Sequence, residues 1–184
     1  MAYSLTLGAI SFFLAVIWGK PLIAFLKRRG VGKRIRINGP ETHKWKTGTP
    51  TMGGLMVLIP VLVITTALNI MNLLGRTLIG RSILVPMGVM IAFGILGGVD
   101  DLVGVRGLRQ DQGLLPRRKF FWQAGIALLT ALALYFGLDL HSVALPGIPQ
   151  KINIGLLYIP IAMFWIVGMS NAVNLTDGLD GLAG

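Results

Sequence analysis

Residues 5–26 read LTLGAISFFLAVIWGKPLIAFL, an apolar run that holds one charged residue, Lys20. A helix needs about 20 mostly apolar residues to cross the hydrocarbon core of a bilayer, and this run is long enough. Lys20 stands beside Pro21, where a kink and a side chain reaching toward the interface accommodate the charge. No basic residue precedes the run and no small-residue cleavage site follows it, so it reads as a span and not as a cleaved signal.

Four further apolar stretches follow, at 53–71, 83–99, 121–138 and 152–169. The expected fold is therefore all-α: a polytopic membrane helix bundle of five transmembrane helices, forming a single membrane domain over residues 1–184. Composition agrees. Hydrophobic residues make up 54% of the chain and charged residues 13%, against about 25% charged in soluble domains. The net charge of +10 suits anionic lipid headgroups or a phosphorylated substrate. Long apolar runs exclude a soluble nucleic-acid-binding module. The chain has no cysteine, which removes disulfides, thiolate metal sites and a cysteine nucleophile.

Basic residues set the expected orientation. Lys27, Arg28, Arg29, Lys33, Arg34, Arg36, Lys44 and Lys46 cluster in one connection, and Arg106, Arg109, Arg117, Arg118 and Lys119 in another. The alternate connections hold only Arg76, Arg81 and Lys151. Positively charged loops stay in the cytoplasm, which puts loops 27–52, 100–120 and 170–184 inside and the N-terminus outside. Six of the seven acids, Glu41, Asp100, Asp101, Asp111, Asp177 and Asp180, then share the cytoplasmic side, and Asp139 lies outside.

Three clusters mark that side. In the first, residues 48–54 (GTPTMGG) predict a helix start, with Thr49 as cap and Pro50 as first helical residue. A helix N-terminus attracts anions, and Lys44 and Lys46 add charge; an ordinary capped helix start remains the alternative. The second cluster is Asp100-Asp101, expected at the end of the third span. Adjacent carboxylates repel, and acids at a helix C-terminus oppose its dipole. The pair suits a general base or a Mg²⁺ site acting on phosphates. In the third, Asn171, Asn174, Asp177 and Asp180 are spaced by three, a polar series costly in lipid unless it meets water, ligand or a partner. Gly178 and Gly181 suggest an unwound stretch that brings these side chains toward one line. His43 and His141 have no metal-ligand spacing partner and read as surface residues.

These clusters resemble a known family. Gly39-Pro40-Glu41-Thr42-His43, Lys46 and Gly48 through Gly54 are similar to the first signature of the phospho-N-acetylmuramoyl-pentapeptide-transferases, within the polyprenyl-phosphate sugar-1-phosphate transferases. Asn171 through Ala183 resemble the second signature, with Asp100-Asp101 between the two and Lys119 in a matching Arg118–Gln123 stretch. The resemblance covers essentially the whole chain, as the N-terminal half of the family's fold.

It implies a transferase of bacterial cell-wall (peptidoglycan) synthesis, with Mg²⁺ as cofactor. UDP-N-acetylmuramoyl-pentapeptide is the implied donor and undecaprenyl phosphate the acceptor; lipid I and UMP form at the inner face of the plasma membrane. Carried over by position, Asp100, Asp101 and Lys119 are catalytic, and Lys46, Thr51, Asn171, Asn174, Asp177 and Asp180 bind substrate. The main Mg²⁺-binding Asp is expected beyond Gly184, with Asp100 and Asp101 as candidate secondary ligands, so these 184 residues alone are expected to be inactive. The resemblance leaves a homodimer open. The family's Lys three residues after the second Asp is replaced here by Gly104, with Arg106 nearby.

Other readings make different demands. A sister N-acetylhexosamine-1-phosphate transferase shares the Asp pair. Aromatic-acceptor prenyltransferases space Asn and Asp by four. Transporters place ionisable groups at mid-membrane, whereas here they gather at span ends. A non-catalytic membrane fragment differs from the transferase only in activity.

Overall fold

The computed structural model describes residues 2–30, 51–74, 83–106, 113–147 and 149–176. Its elements are α1 (Ala2–Arg28), α2 (Leu55–Leu73), α3 (Leu84–Arg106), α4 (Pro116–Leu132), β1 (Ser142–Val143), β2 (Ile152–Asn153) and α5 (Tyr158–Thr176). The all-helical expectation holds, apart from a two-stranded ribbon. Four helical stretches are long and apolar enough to cross a membrane: Leu5–Arg28, Leu84–Val105, Pro116–Gly137 and Gly155–Thr176. The apolar part of α2, Leu55–Met71, is the shorter one. Large apolar side chains such as Phe12, Phe13, Ile17, Phe121 and Phe164 stand exposed along these helices. In water that surface would drive aggregation, but in lipid it faces its own solvent.

The chain divides into two compact units, Met1–Leu115 and Pro116–Gly184. In the first, the buried positions of α1 are Ala15, Gly19, Leu22 and Leu26. Their spacing of four and three makes one narrow seam along the helix. Without a side chain, Gly19 lets Met56 of α2 lie against the α1 backbone, since a Cβ there would stand 2.5 Å from Met56 Sδ. Gly94 of α3 does the same for Leu58, whose Cδ2 would lie 2.7 Å from an added Cβ. Small residues that allow close helix approach are the usual means of packing in lipid, where burial from water no longer drives association.

In the second unit, α4 continues into a π-helical turn, Ala133–Gly137. Asp139 then takes a left-handed conformation, φ 55°, and leads into the ribbon. Ser142 pairs with Asn153 and Val143 with Ile152, antiparallel. His141 is held rather than loose at the surface: its Nε2 lies 2.6 Å from Asp139 Oδ1, and its ring packs edge-on against Tyr135 at 4.3 Å. A 3-10 turn, Gly155–Leu157, opens into α5.

Three expected boundaries shift. The third span runs on to Arg106, so the Asp pair lies more than a turn inside α3 and the dipole conflict is relieved. Similarly, α4 starts at Pro116, well before residue 121; proline suits the first helical position because its missing N–H has no intrahelical partner there. Past residue 169, α5 persists to Thr176, because its polar side chains satisfy themselves on the helix. Asn171 Nδ2 donates to the Val167 carbonyl at 2.9 Å and Thr176 Oγ1 to the Ala172 carbonyl at 2.9 Å. The polar segments thus extend the helices instead of ending them, and the loops expected at 100–120 and 170–184 are shorter by those residues. Thr49 and Pro50 lie outside the described residues; α2 itself begins at Leu55.

Gly94→Ala should destabilise the α2–α3 contact by about 1–3 kcal/mol, the usual cost of overpacking. Gly88→Ala, whose added Cβ meets nothing within 4 Å, should leave stability unchanged or raise it by up to ~1 kcal/mol through helix propensity. Thermal unfolding in detergent, followed by circular dichroism, separates the two.

Candidate active site

Within the first unit, Asp100 and Asp101 occupy consecutive positions of α3, where side chains diverge by about 100°. They are half-buried and reach different backbone donors. Met52 N–H donates to Asp101 Oδ2 at 2.9 Å, and Leu114 N–H donates to Asp100 Oδ1 at 2.7 Å. Each carboxylate thereby ties a separate chain segment to α3. Repulsion between the two is eased by their divergence and by a dipole at each. Charge-assisted bonds to backbone N–H groups are shorter and stronger than neutral ones.

The local backbone is shaped for this. Met52 adopts φ 68°, a left-handed conformation uncommon outside glycine, just before the Gly53-Gly54 turn into α2. Bonds from Leu55 N to Met52 O (3.1 Å) and from Met56 N to Gly53 O (2.9 Å) close that turn. Gly113 sits so near Asp100 that an added Cβ would collide with the carboxylate. Thr51 lines a cavity of about 280 Å³ together with Leu22, Leu26, Lys27 and Met56. Its hydroxyl is buried and makes no hydrogen bond.

Within the second unit, Lys119 lies in the first turn of α4 with Arg117 and Arg118, and that turn has no acid. Three cations at a helix N-terminus oppose the dipole, which makes this end a strong anion attractor at a local cost. Lys119 Nζ donates to Asn174 Oδ1 at 3.4 Å. Asn171 instead turns to α4: its Nδ2 donates to Gln123 Oε1 at 3.0 Å, and Gln123 Nε2 reaches Ser170 Oγ at 3.4 Å.

Of the residues singled out from the sequence, the structure brings Lys119 to Asn174. It sends Asp100 and Asp101 to separate donors and engages Asn171 with a neighbouring helix. Lys46, Asp177 and Asp180 lie outside the described residues. Four contributions escaped the sequence reading: the main-chain donors of Met52 and of Leu114, the space at Gly113, and the bonding role of Gln123. Only Gln123 left a trace, as a polar residue one helical turn beyond Lys119 in an otherwise apolar run. Among the described residues no three His, Asp or Glu side chains gather as a metal-binding group.

Gly113→Ala should displace the Asp100 carboxylate and expose the Leu114 amide. Hydrogen exchange at Leu114 is expected to quicken by roughly tenfold, the equivalent of about 1.4 kcal/mol in the local opening equilibrium. Gly125→Ala, where an added Cβ meets nothing within 4 Å, should leave that rate unchanged.

Residues 83–184, which carry the Asp pair, Lys119 and the Asn171 segment, match glycosyl transferase family 4. The phospho-N-acetylmuramoyl-pentapeptide-transferase of Chloroflexus aurantiacus (strain J-10-fl) is 42% identical over 189 residues, covering all of this chain and 50% of the relative. That of Halalkalibacterium halodurans is 39% identical over 174 residues, covering 94% of this chain and 52% of the relative. The chain spans about half the length of the curated relatives it matches. It is a membrane protein with four helices apolar and long enough to span, and it belongs to glycosyl transferase family 4.

Proposed function

We propose that this chain carries the N-terminal half of a polyprenyl-phosphate phosphosugar transferase, one that passes phospho-N-acetylmuramoyl-pentapeptide from its UDP-linked donor to undecaprenyl phosphate. The observation that carries the reading is the Asp100-Asp101 pair, two half-buried carboxylates each fixed by a backbone N–H. Family membership and the names of the relatives support the choice of donor and acceptor.

The reaction needs an acceptor phosphate oxygen to attack the donor's sugar-linked phosphorus. A bond from that oxygen to phosphorus forms, the bond to the UMP oxygen breaks, and UMP carries away the electron pair. One carboxylate of the pair deprotonates or orients the lipid phosphate. Lys119, at the cationic start of α4, neutralises phosphate charge, with Asn174 as its neighbour. By resemblance Lys46, Thr51, Asp177 and Asp180 contact the nucleotide and diphosphate. Mg²⁺ is commonly held by one or two carboxylates together with substrate phosphates, and Asp100 and Asp101 are donors of that type. Bound Mg²⁺ would supply charge stabilisation to the diphosphate.

In this reading the five apolar helices form one membrane domain in the bacterial plasma membrane. The N-terminus lies outside and the Asp pair faces the cytoplasm, an orientation that the distribution of basic residues supports. Anionic lipids surround the basic loops. A sister transferase acting on a UDP-N-acetylhexosamine is the runner-up, since the Asp pair is common to both.

A chimera in which this chain replaces the matching half of the Chloroflexus aurantiacus relative tests the proposal. With undecaprenyl phosphate and Mg²⁺, UMP release is expected from the N-acetylmuramoyl-pentapeptide donor and not from UDP-N-acetylglucosamine. Asp100→Asn or Asp101→Asn should lower turnover by roughly 100-fold or more, the range for loss of a general acid–base group. Preference for the hexosamine donor would overturn the assignment. The 184 residues alone are expected to release no UMP; turnover by that purified chain, with its mass verified, would refute the half-site reading.

A further inference from the structure

We propose that Gln123 and Asn171 form an interhelical clasp that sets the axial register of α4 against α5, and so brings Lys119 to Asn174. Gln123 is then a positioning residue, and Asn171 acts through it instead of contacting substrate. The functional meaning rests on the transferase reading above, but the geometric claim stands without it.

Gln123 is 2% exposed, and a primary amide so placed must find partners. It finds both on α5: Asn171 donates to its oxygen at 3.0 Å, and its nitrogen reaches Ser170 Oγ at 3.4 Å. Asn171 has two side-chain N–H donors. One goes to Gln123 and the other to the Val167 carbonyl at 2.9 Å. A substrate role that needs an Asn171 donor is closed by this geometry.

The ribbon and the Tyr135–Tyr158 ring contact, centroids 6.5 Å apart, constrain the far end of this helix pair; along α4 itself, Gln123 is the buried residue whose bonds to α5 depend on register. The other buried residues of α4 are Ala127, Thr130 and Ala131. Alanines present low ridges that a neighbouring helix can slide past. Thr130 commits its hydroxyl to its own helix, donating to the Ile126 carbonyl at 2.8 Å. The Lys119–Asn174 contact is long at 3.4 Å and exposed to solvent, a weaker hold than the buried Gln123 amide with its 3.0 Å bond from Asn171. It does sit one turn from the clasp, since Lys119 precedes Gln123 by four residues and Asn174 follows Asn171 by three. A slip of one helical turn, about 5.4 Å, would leave the buried amides unmatched and take Asn174 away from Lys119.

The absence of cysteine makes the test clean. Spin labels on cysteines replacing Phe121 and Val173, both exposed on α4 and α5, report the axial offset in nanodiscs by pulsed electron–electron resonance. The otherwise unchanged chain should give one narrow distance peak. Gln123→Met, close in volume but unable to form the clasp, should broaden or shift it by up to about 5 Å, one turn's rise. Asn171→Leu should do the same, with helicity by circular dichroism retained. The exchanged pair, Gln123→Asn with Asn171→Gln, preserves both amides and their summed reach, and should restore the peak.

An unchanged distance in Gln123→Met or Asn171→Leu would overturn the proposal. So would failure of the exchanged pair to restore the peak, which would mark a packing effect only. In the chimera, Gln123→Met and Lys119→Ala should be non-additive in kcat, whereas additive losses would refute the positioning role. Because the distance measurement needs no turnover, it separates failure of the clasp from failure of the transferase assignment.

Discussion

A polar group inside a bilayer has no water to fall back on, and the polar side chains of several described helices are satisfied within the protein. Thr130, Asn171 and Thr176 return hydrogen bonds to their own backbones. Gln123 is matched across to another helix. The carboxylates of Asp100 and Asp101 meet main-chain N–H groups. Helices that satisfy their polar side chains in these ways can run past the apolar core into segments that also carry chemistry.

That economy of partners lets α3 serve as scaffold and carry the candidate site residues at once. Its apolar length provides a span, and Gly94 brings α2 close. Its polar end then holds two chain segments through two carboxylates. The second unit uses a different device, in which side chains on α4 and α5 answer each other over successive turns. In both units the candidate site residues stand next to the packing that orients them, the arrangement a preorganised site would need.

Four of the five expected spans were legible in the sequence as helices long and apolar enough to cross a membrane, because an apolar run of bilayer length is rare in a chain that folds in water, whereas the apolar part of the second, Leu55–Met71, is shorter. Their ends were not. Asp100-Asp101 and Asn171–Asn174 look like loop composition, yet both lie on helices, because side-chain-to-backbone bonds leave no signature in residue type alone. The pairing of Lys119 with Asn174 is likewise not written in either neighbourhood; it depends on the offset of two helices. Thr49 and Pro50, read as a helix cap and first helical residue, lie outside the described residues; α2 begins at Leu55, after a left-handed Met52 that no composition rule predicts. The two-residue ribbon was too short to rise above the surrounding loop, and the His141–Asp139 contact arises from the left-handed turn before it.

The donors that hold the acidic pair are main-chain atoms of Met52 and Leu114. A comparison of side chains among relatives would therefore see little at either position. Most replacements at residue 114 keep the N–H that Asp100 receives, while at residue 52 the left-handed backbone adds a preference for glycine or asparagine. Proline alone removes the donor itself. Position 114 thus combines wide tolerance in chemical character with one forbidden residue, while position 52 is further restricted by its left-handed backbone. Substitution records at residue 114 would look neutral although Asp100 accepts a hydrogen bond from that backbone.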